Sequence, residues 1–394
     1  MAYTPPNVYY ASVFDGTYTK LDGVQSVSIN RGKQRFQDPT PVSTCSIELI
    51  PQSTFPSMTI GQFIDIRDTN SGSSPAYFAG KITDIQRKYA IPYNSSTGAA
   101  PADRVVITVT GGTGVLASGY GSISSGTTTD ASYSIMIGSM LVAGVYAITP
   151  ANTGWVYTGA ANQVLINQNV INPDTAPWLD TINKIINTIQ YSVDDLDMNR
   201  TFQSNGATNT IYAGAYFYPI GQTGKNISLV DDGSTGSTTY KYSQVDYVSS
   251  VQSSFTQVII QSSFGDLNVT SGNPPYVGFT YGTAAASTTQ TNALANYVLT
   301  VNNSSSPVPF TMGTNTAVQA NVSDLGKLAN CPLGTAVTVK FRGTTVSATV
   351  SGITANYYPD QANILFNLTP SLGTPFTLDS SAFGVLNTNR LGYP

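Results

Sequence analysis

Apolar and polar positions alternate along much of this chain, and one alternating block occurs near its start and again near its end. Ile60-Gly61-Gln62-Phe63-Ile64-Asp65-Ile66-Arg67 leads to Gly80-Lys81-Ile82-Thr83-Asp84-Ile85 and then to Val105-Val106-Ile107-Thr108-Val109-Thr110. Downstream, Leu333-Gly334-Thr335-Ala336-Val337-Thr338-Val339-Lys340 leads to Ser351-Gly352-Ile353-Thr354 and then to Ile364-Leu365-Phe366-Asn367-Leu368-Thr369. Each block reads as a glycine turn, an alternating strand, a second strand through Ile-Thr and a third alternating strand, since a period of two puts one strand face on a core. The offset is 273 residues at the first strand, 271 at the second and 259 at the third, so the copies differ in their connecting loops. The pattern predicts two similar small β-barrels in one chain. Three such chains would imitate a six-fold ring.

Val24 to Ile29 and Thr44 to Leu49 alternate as well and complete a first β unit over residues 1–112. Its longest loop, Tyr89 to Pro101, is rich in Pro, Ser, Gly and Ala and reads as a surface contact arm. Residues 113–244 are expected to form a mixed α+β insertion. Its clearest element is a helix near 175–192, with Asp174 as cap and Pro177 in the first turn. There Trp178, Ile182, Ile185, Ile186 and Ile189 make one stripe for packing on a sheet. Tyr133 to Ile148 is apolar but shorter than the roughly 20 residues that cross a bilayer, so it reads as a buried helix or helix–strand pair. A second β unit is expected over 245–370, with an inserted helix near 288–299 capped by Ser287 or Thr288. Residues 371–394 form an extension. The expected fold class is mainly β: two similar small β-barrel tube domains with an inserted mixed α+β middle region.

Composition narrows the function classes. Only 10% of residues are charged, against roughly 25% in an ordinary soluble domain, while 41% are hydrophobic, too many for intrinsic disorder. The net charge of −4 recommends no nucleic-acid groove. Residues 1–104 hold nine basic and eight acidic residues, and the remainder eight basic and 13 acidic. A mildly acidic ring would let a polyanion pass by repulsion. Cys45 and Cys331 fall in different copies and read as two buried thiols rather than a disulfide framework. The stretch Met1-Ala2-Tyr3-Thr4-Pro5-Pro6 has no basic or apolar run, so no secretory signal is expected.

The sequence contains no histidine. That excludes Ser-His-Asp and Cys-His nucleophilic sites, His-ligated zinc and the usual general base near neutral pH. Gly111-Gly112-Thr113-Gly114 lacks the lysine and helix start of a phosphate cradle and reads as a turn. Asp194, Asp195 and Asp197, with Asp231 and Asp232, are the carboxylates a hydrolase would use. Asp194 and Asp197 have oxygens a calcium ion would accept. The same residue type serves helix ends and turns through local hydrogen bonds. Trp155 and Trp178 read as packing. No catalytic, cofactor-binding or metal residue is assigned, and no cofactor is expected.

Val27-Ser28-Ile29-Asn30-Arg31-Gly32-Lys33-Gln34-Arg35, then Thr44-Cys45-Ser46-Ile47-Glu48-Leu49, then Ile60-Gly61 and Phe78-Ala79-Gly80-Lys81-Ile82-Thr83-Asp84-Ile85 resemble the opening of tail hub proteins (minor tail, baseplate hub) of tailed bacteriophages. The end resembles theirs too, through Tyr281-Gly282, the helix with Leu294-Ala295-Asn296-Tyr297-Val298-Leu299, Pro307, Pro309 and Leu333-Gly334-Thr335-Ala336-Val337. The agreement covers roughly 20–112 and 245–370. Lys33 stands in place of the family's second Arg, and Ser43 in place of the Gly before Thr44.

The resemblance implies a structural virion protein rather than an enzyme, made in the host cytoplasm and built into the tail. It would form a homotrimer with two barrels per chain, joining the six-fold tail tube or distal tail protein to a three-fold tip, spike or fibre. Its channel would give transient passage to phage DNA, and no membrane segment is implied. The alternatives are a distal tail ring protein or a receptor-binding, glycan-recognising tail module. Arg31, Lys33 and Arg35 share one face if their strand stays extended, either pairing with acids on a tube subunit or forming a solvated edge.

Overall fold

The computed structural model describes residues 3–11, 18–35, 38–50, 57–68, 76–89, 103–118, 130–132, 156–157, 165–167, 177–194, 216–220, 226–247, 256–262, 265–285, 287–302, 311–319 and 321–371. The chain begins with β1 (Asn7–Ala11), β2 (Thr19–Lys20), β3 (Val24–Gly32), β4 (Thr44–Leu49), β5 (Phe63–Arg67), β6 (Ala76–Lys88), β7 (Arg104–Thr110) and helix α1 (Gly112–Ser118). Then come β8 (Asp130–Ser132), β9 (Val156–Tyr157), β10 (Leu165–Asn167), α2 (Trp178–Ile189), β11 (Tyr191–Asp194) and β12 (Tyr216–Pro219). The remainder holds β13 (Asn226–Val230), β14 (Thr239–Lys241), β15 (Gln244–Asp246), β16 (Gln257–Gln261), β17 (Leu267–Thr270), β18 (Gly278–Gly282) and α3 (Thr288–Asn302). It ends with β19 (Thr311–Asn315), α4 (Ser323–Ala329), β20 (Ala336–Phe341), β21 (Thr344–Tyr357) and β22 (Ala362–Pro370).

The protein is mainly β, as the alternation predicts. Among the described residues no barrel closes. Fourteen strands join one sheet instead, because β3 hydrogen-bonds to β21 and fuses the two units. On one side of that joint the strand order is β3-β4-β7-β6-β5-β1-β2, and on the other it is β21-linked in the order β15-β19-β22-β21-β20-β13-β14. The two paths match strand for strand in both space and chain order. They differ at the far end, where β1 runs antiparallel to β5 but β13 runs parallel to β20. β13 and β14 fall within 113–244 by sequence, yet they pair into the second unit.

The match extends to single hydrogen bonds. Gly61 (φ +90°) donates to the Ile82 carbonyl, and Gly334 (φ +85°) to the Val350 carbonyl. Ile82 N–H returns to Gln62, and Val350 N–H to Thr335. Both glycines occupy the left-handed region that a side chain strains. A bulge follows in both copies, between Ile82 and Asp84 and between Val350 and Gly352. Its extra residue shifts the strand's alternation by one position. The structure therefore corrects the second-strand alignment: Ile82 corresponds to Val350, and Ile353 to Ile85. The third-strand alignment, Thr110 with Thr369, holds through the shared pairs Lys81↔Thr110 and Thr349↔Thr369.

One apolar cluster spans both units. Ile47, Ile66, Phe78, Ile107, Val339, Ile353, Ile364 and Phe366 are all buried to within 2%. β7 and β22 alternate buried and half-buried residues, which is the sequence period realised in space. Each such apolar side chain contributes about 1.5–3 kcal/mol by leaving water. A second cluster packs α3 on the sheet β17-β16-β18 through Leu294, Tyr297, Val298, Val258 and Ile260. The Ser287 hydroxyl accepts the Gln290 N–H at 3.2 Å and caps α3. α2 begins directly after Pro177 and buries Trp178, Ile182, Ile185 and Ile186. Its C-terminal Gln190 takes a left-handed φ of 55° and returns its N–H to the Ile186 carbonyl. Asp174, the Tyr89–Pro101 loop beyond Tyr89 and before Asp103, and Tyr133–Ile148 lie outside the described residues.

Candidate functional site

The joint between the two units is the most built feature of the molecule. β3 lies along the second half of β21, with pairs from Gly352↔Gly32 to Tyr357↔Val27. Two side-chain bonds cross it: Ser28 Oγ to Asn356 Oδ1 at 2.7 Å and Thr354 Oγ1 to Asn30 Oδ1 at 2.9 Å. Tyr357 is buried there and stacks on Tyr77 of the first unit, centroids 5.1 Å apart and rings 16° from parallel. Burial and the neighbouring Asp68 push the Tyr77 hydroxyl far above its ordinary pKa, and burial does the same to Tyr357.

A buried ion pair pins this joint to the middle region. Arg31 Nη1 reaches both oxygens of Asp194, at 2.7 and 2.8 Å. Arg31 Nη2 donates to the carbonyls of Ala329 (2.7 Å) and Cys331 (3.3 Å), and Asp194 Oδ2 accepts the Leu333 N–H at 2.9 Å. The side chains are 1% and 0% exposed. Such charges are tolerable out of water only because the guanidinium fork and both carboxylate oxygens are matched. Three separated stretches meet here: the end of β3, the end of β11 and the turn before β20.

The expectation that Arg31, Lys33 and Arg35 share a strand face is overturned. β3 stops at Gly32, whose φ of +77° turns the chain. Arg31 faces inward to Asp194. The Lys33 backbone N–H bonds Ser351 O at 2.7 Å, and the Arg35 backbone N–H bonds Asp38 at 2.9 Å. Burial lowers the Lys33 ammonium to a pKa of about 8, partly offset by Asp38. Beside it opens a cleft of about 410 Å³ between Arg31, Lys33, Asp38, Pro39, Thr354 and Asn367. It sets one carboxylate beside cations rather than two carboxylates across a gap, so it lacks the pair that hydrolysis needs.

The other carboxylates are placed as follows. Asp194 is committed to Arg31, which removes it as a calcium ligand or acid; Asp195 and Asp197 lie outside the described residues. Asp231 accepts the Arg342 backbone N–H at 2.8 Å. Asp232 accepts the Ser234 N–H at 2.9 Å and meets Lys340 at 3.2 Å, and its hydrogen bonds to Ser234 lower its pKa to about 2. Both Asp231 and Asp232 thus hold turns. Among the described residues no three His, Cys, Asp or Glu side chains converge as a metal site. Cys45 and Cys331 are buried with no disulfide between them, and burial raises the Cys45 thiol. Gly112 opens helix α1 rather than lying in a simple turn, and the Thr113 hydroxyl accepts the Ser43 N–H at 2.9 Å. Trp178 is packing, 3% exposed, and Trp155 lies outside the described residues. No described helix is long and apolar enough to cross a membrane.

Sequence reasoning missed Asp194 as the partner of Arg31, although a signal existed. Val27, Ile29 and Arg31 alternate onto one face, so a charge follows two core residues and requires a buried acid. No known family profile matches the chain, and no curated protein matches it in sequence. Solved structures do. The 43 kDa tail protein of prophage MuSo2 from Shewanella oneidensis superposes over 95% of this chain and 98% of its own, with a TM-score of 0.59 at 10% identity. The tail protein from Neisseria meningitidis MC58 superposes over 94% and 97%, with a TM-score of 0.58 at 11% identity. The tail resemblance read from the residues thus meets a shared fold: over nearly its whole length this chain has the fold of these two tail proteins.

Proposed function

We propose that this chain is a structural, non-enzymatic protein of a phage tail, located in the virion as the hub or adaptor of the baseplate. It would join the six-fold tail tube to a three-fold tip and line the channel for DNA. The observation that carries this reading is the duplication: two units of seven strands in one spatial order, with matching glycine turns and matching bulges. A chain holding two equivalent units can offer six similar surfaces from three copies, while the insertions around α2 and α3 differ between units and keep a true three-fold. The tail fold of the MuSo2 and Neisseria proteins supports the setting. In this scheme residues 1–112 and 245–370 act as barrel-like tube domains, with β13 and β14 completing the second. The middle region and residues 371–394 serve the tip side.

Electron-microscope class averages of the concentrated protein, alone and with tail tube protein, test the reading. A ring of three chains with six lobes and an open centre is expected. A ring of six whole chains overturns it in favour of a distal tail ring. A compact, channel-free trimer that binds saccharide overturns it in favour of a receptor-binding module.

A further inference from the structure

The joint inside the chain has a counterpart that the single chain leaves unmade. β3 covers the second half of β21 on the side that β20 stops short of, since β20 pairs only with Thr344–Thr349. The duplication makes β15 the equivalent of β3. The shared pairings Ile47↔Val27 and Met312↔Val245 set that register. It likewise makes Asp84–Tyr89 the equivalent of Gly352–Tyr357. In β6, β5 pairs only with Ala76–Lys81, and no described strand lies along that side of Asp84–Lys88. Nor does a described strand lie beside β15 on the side away from β19. Within one copy the two edges do not pair, and β19, β22, β21, β3, β4 and β7 lie between them in the strand order.

Exposure marks both edges as uncovered halves of a joint. Tyr357 is 2% exposed, but its equivalent Tyr89 is 64% exposed. Ile29 is 2% exposed, but its equivalent Tyr247 is 42% exposed. These two tyrosines are among the few large apolar side chains that the described surface shows to water. Carrying the β3–β21 register across sets Lys88 opposite Asp246, Tyr89 opposite Val245 and Arg87 opposite Tyr247. The Lys88–Asp246 pair falls where Ser28 and Asn356 form their 2.7 Å bond inside the chain. An ion pair there also selects its partner. In this register Lys88 of β6 meets Asp246 of β15, an attraction that an edge without the acid would not offer.

We propose that β15 of one copy adds to the outer half of β6 of a second copy, in the register of the internal β3–β21 joint. This deepens the hub reading and rests on it. The contact is head-to-tail, so copies continue in one direction until the rotation closes. Because the joint between copies repeats the joint within a copy, successive units meet by one geometry, and three chains supply six units.

The intact chain carrying Lys88→Cys and Asp246→Cys tests the proposal. Opposed strand positions bring Cα atoms to about 4.5–5.5 Å, within disulfide reach. The native Cys45 and Cys331 are each 1% exposed and stay silent. Mild oxidation of the concentrated protein is expected to give covalent dimers and a closed covalent trimer, while each single variant stays monomeric on a non-reducing gel. In parallel, Lys88→Glu or Asp246→Lys alone should weaken self-association at least about tenfold by sedimentation, and the double reversal should restore it. Unchanged thermal melts verify that these exposed substitutions leave the fold intact. Rings on the grid without a covalent joint overturn the proposal and leave the hub reading standing. Monomers at the highest concentration, or a double reversal that fails to restore association, overturn it as well. The hub reading fails separately, when the unmodified ring counts six whole chains or lacks a channel.

Discussion

The first and second seven-strand units keep the same strand order and core but treat their edges and connections differently. In the first unit β3 and β4 are joined by the short stretch Lys33–Ser43, while β6 and β7 are separated by the long one from Tyr89 to Asp103. In the second unit this reverses. The link between β15 and β19 carries β16–β18 and α3, and β21 turns into β22 through only Tyr358–Gln361. The outer half of β21 is covered by β3, and the matching half of β6 faces water. Backbone pairing and core register were therefore constrained in both copies, since a one-residue slip would turn every apolar side chain outward. The loops were not constrained, and the differences gathered there.

The largest effect separates the pinned joint from its exposed equivalent. Arg31→Met or Asp194→Asn should cost about 3–5 kcal/mol, because each leaves a buried charge or its partners unmatched. Arg31→Met with Asp194→Leu together should recover most of that loss, since an apolar pair removes both charges at once. Urea midpoints on the single and double variants measure it. A loss below 1 kcal/mol in both single variants would mean that the clamp does not hold the units together.

Next in size is a matched pair of tyrosines. Tyr357→Ala should cost about 3–5 kcal/mol, since it empties a buried site and removes the stack on Tyr77. Its equivalent, Tyr89→Ala, should stay within about 0.5 kcal/mol in the isolated chain. Equal losses in denaturant would erase the difference between a covered and an uncovered edge.

The two turn glycines give a smaller contrast. Gly61 and Gly334 share a left-handed φ, so Ala at either should cost about 1–2 kcal/mol in backbone strain. Nothing lies within 4 Å of a Cβ at Gly61, whereas at Gly334 it would meet Ser192 Oγ at 2.9 Å. Gly334→Ala should therefore lower the thermal midpoint further than Gly61→Ala. The opposite order would show that Ser192, which belongs to β11, yields without cost.

Much of this architecture was legible in the sequence where a local period decided it. Strands β5, β7, β20 and β22 follow from alternation, and α2 follows from its isoleucine stripe. The second strand slipped because Ile-Thr occurs at Ile82-Thr83 and again at Ile353-Thr354, while the bulge in each copy breaks the period that would have set the register. The fusion of the two units was not legible. β3 meets β21 across more than 300 residues, as the Ser28–Asn356 separation of 328 shows, and no local pattern names a partner that distant. The clamp was half legible, through the inward position of Arg31. Its acid lies 163 residues away among three aspartates that look alike in sequence.

The smallest effect concerns the end of β3, where Lys33 leaves the strand and bonds the second unit. Burial lowers its ammonium pKa to about 8, with Asp38 opposing the shift, whereas an unfolded lysine titrates near 10.4. Below pH 8 both states carry the proton, and the folded chain bears the full cost of burying the charge. Between about 8 and 10.4 the unfolded chain binds more protons than the folded one, so stability rises with pH across that window. Tyr3, Tyr77 and Tyr357 have pKa values raised by burial and oppose the trend where unfolded tyrosine ionises, near pH 10. Cys45, also raised by burial, opposes it from about 8.5, where an unfolded thiol ionises. A Lys33 variant shares all four groups, so they cancel in the difference. The test therefore belongs between pH 7 and 9.5. Over that range the unmodified chain should gain stability in denaturant relative to Lys33→Met. The variant should be the more stable of the two at pH 7, by a margin that shrinks as pH rises. A margin independent of pH would mean that the Lys33 ammonium stays solvated, and that the joint between the units buries no charge beyond the Arg31–Asp194 pair.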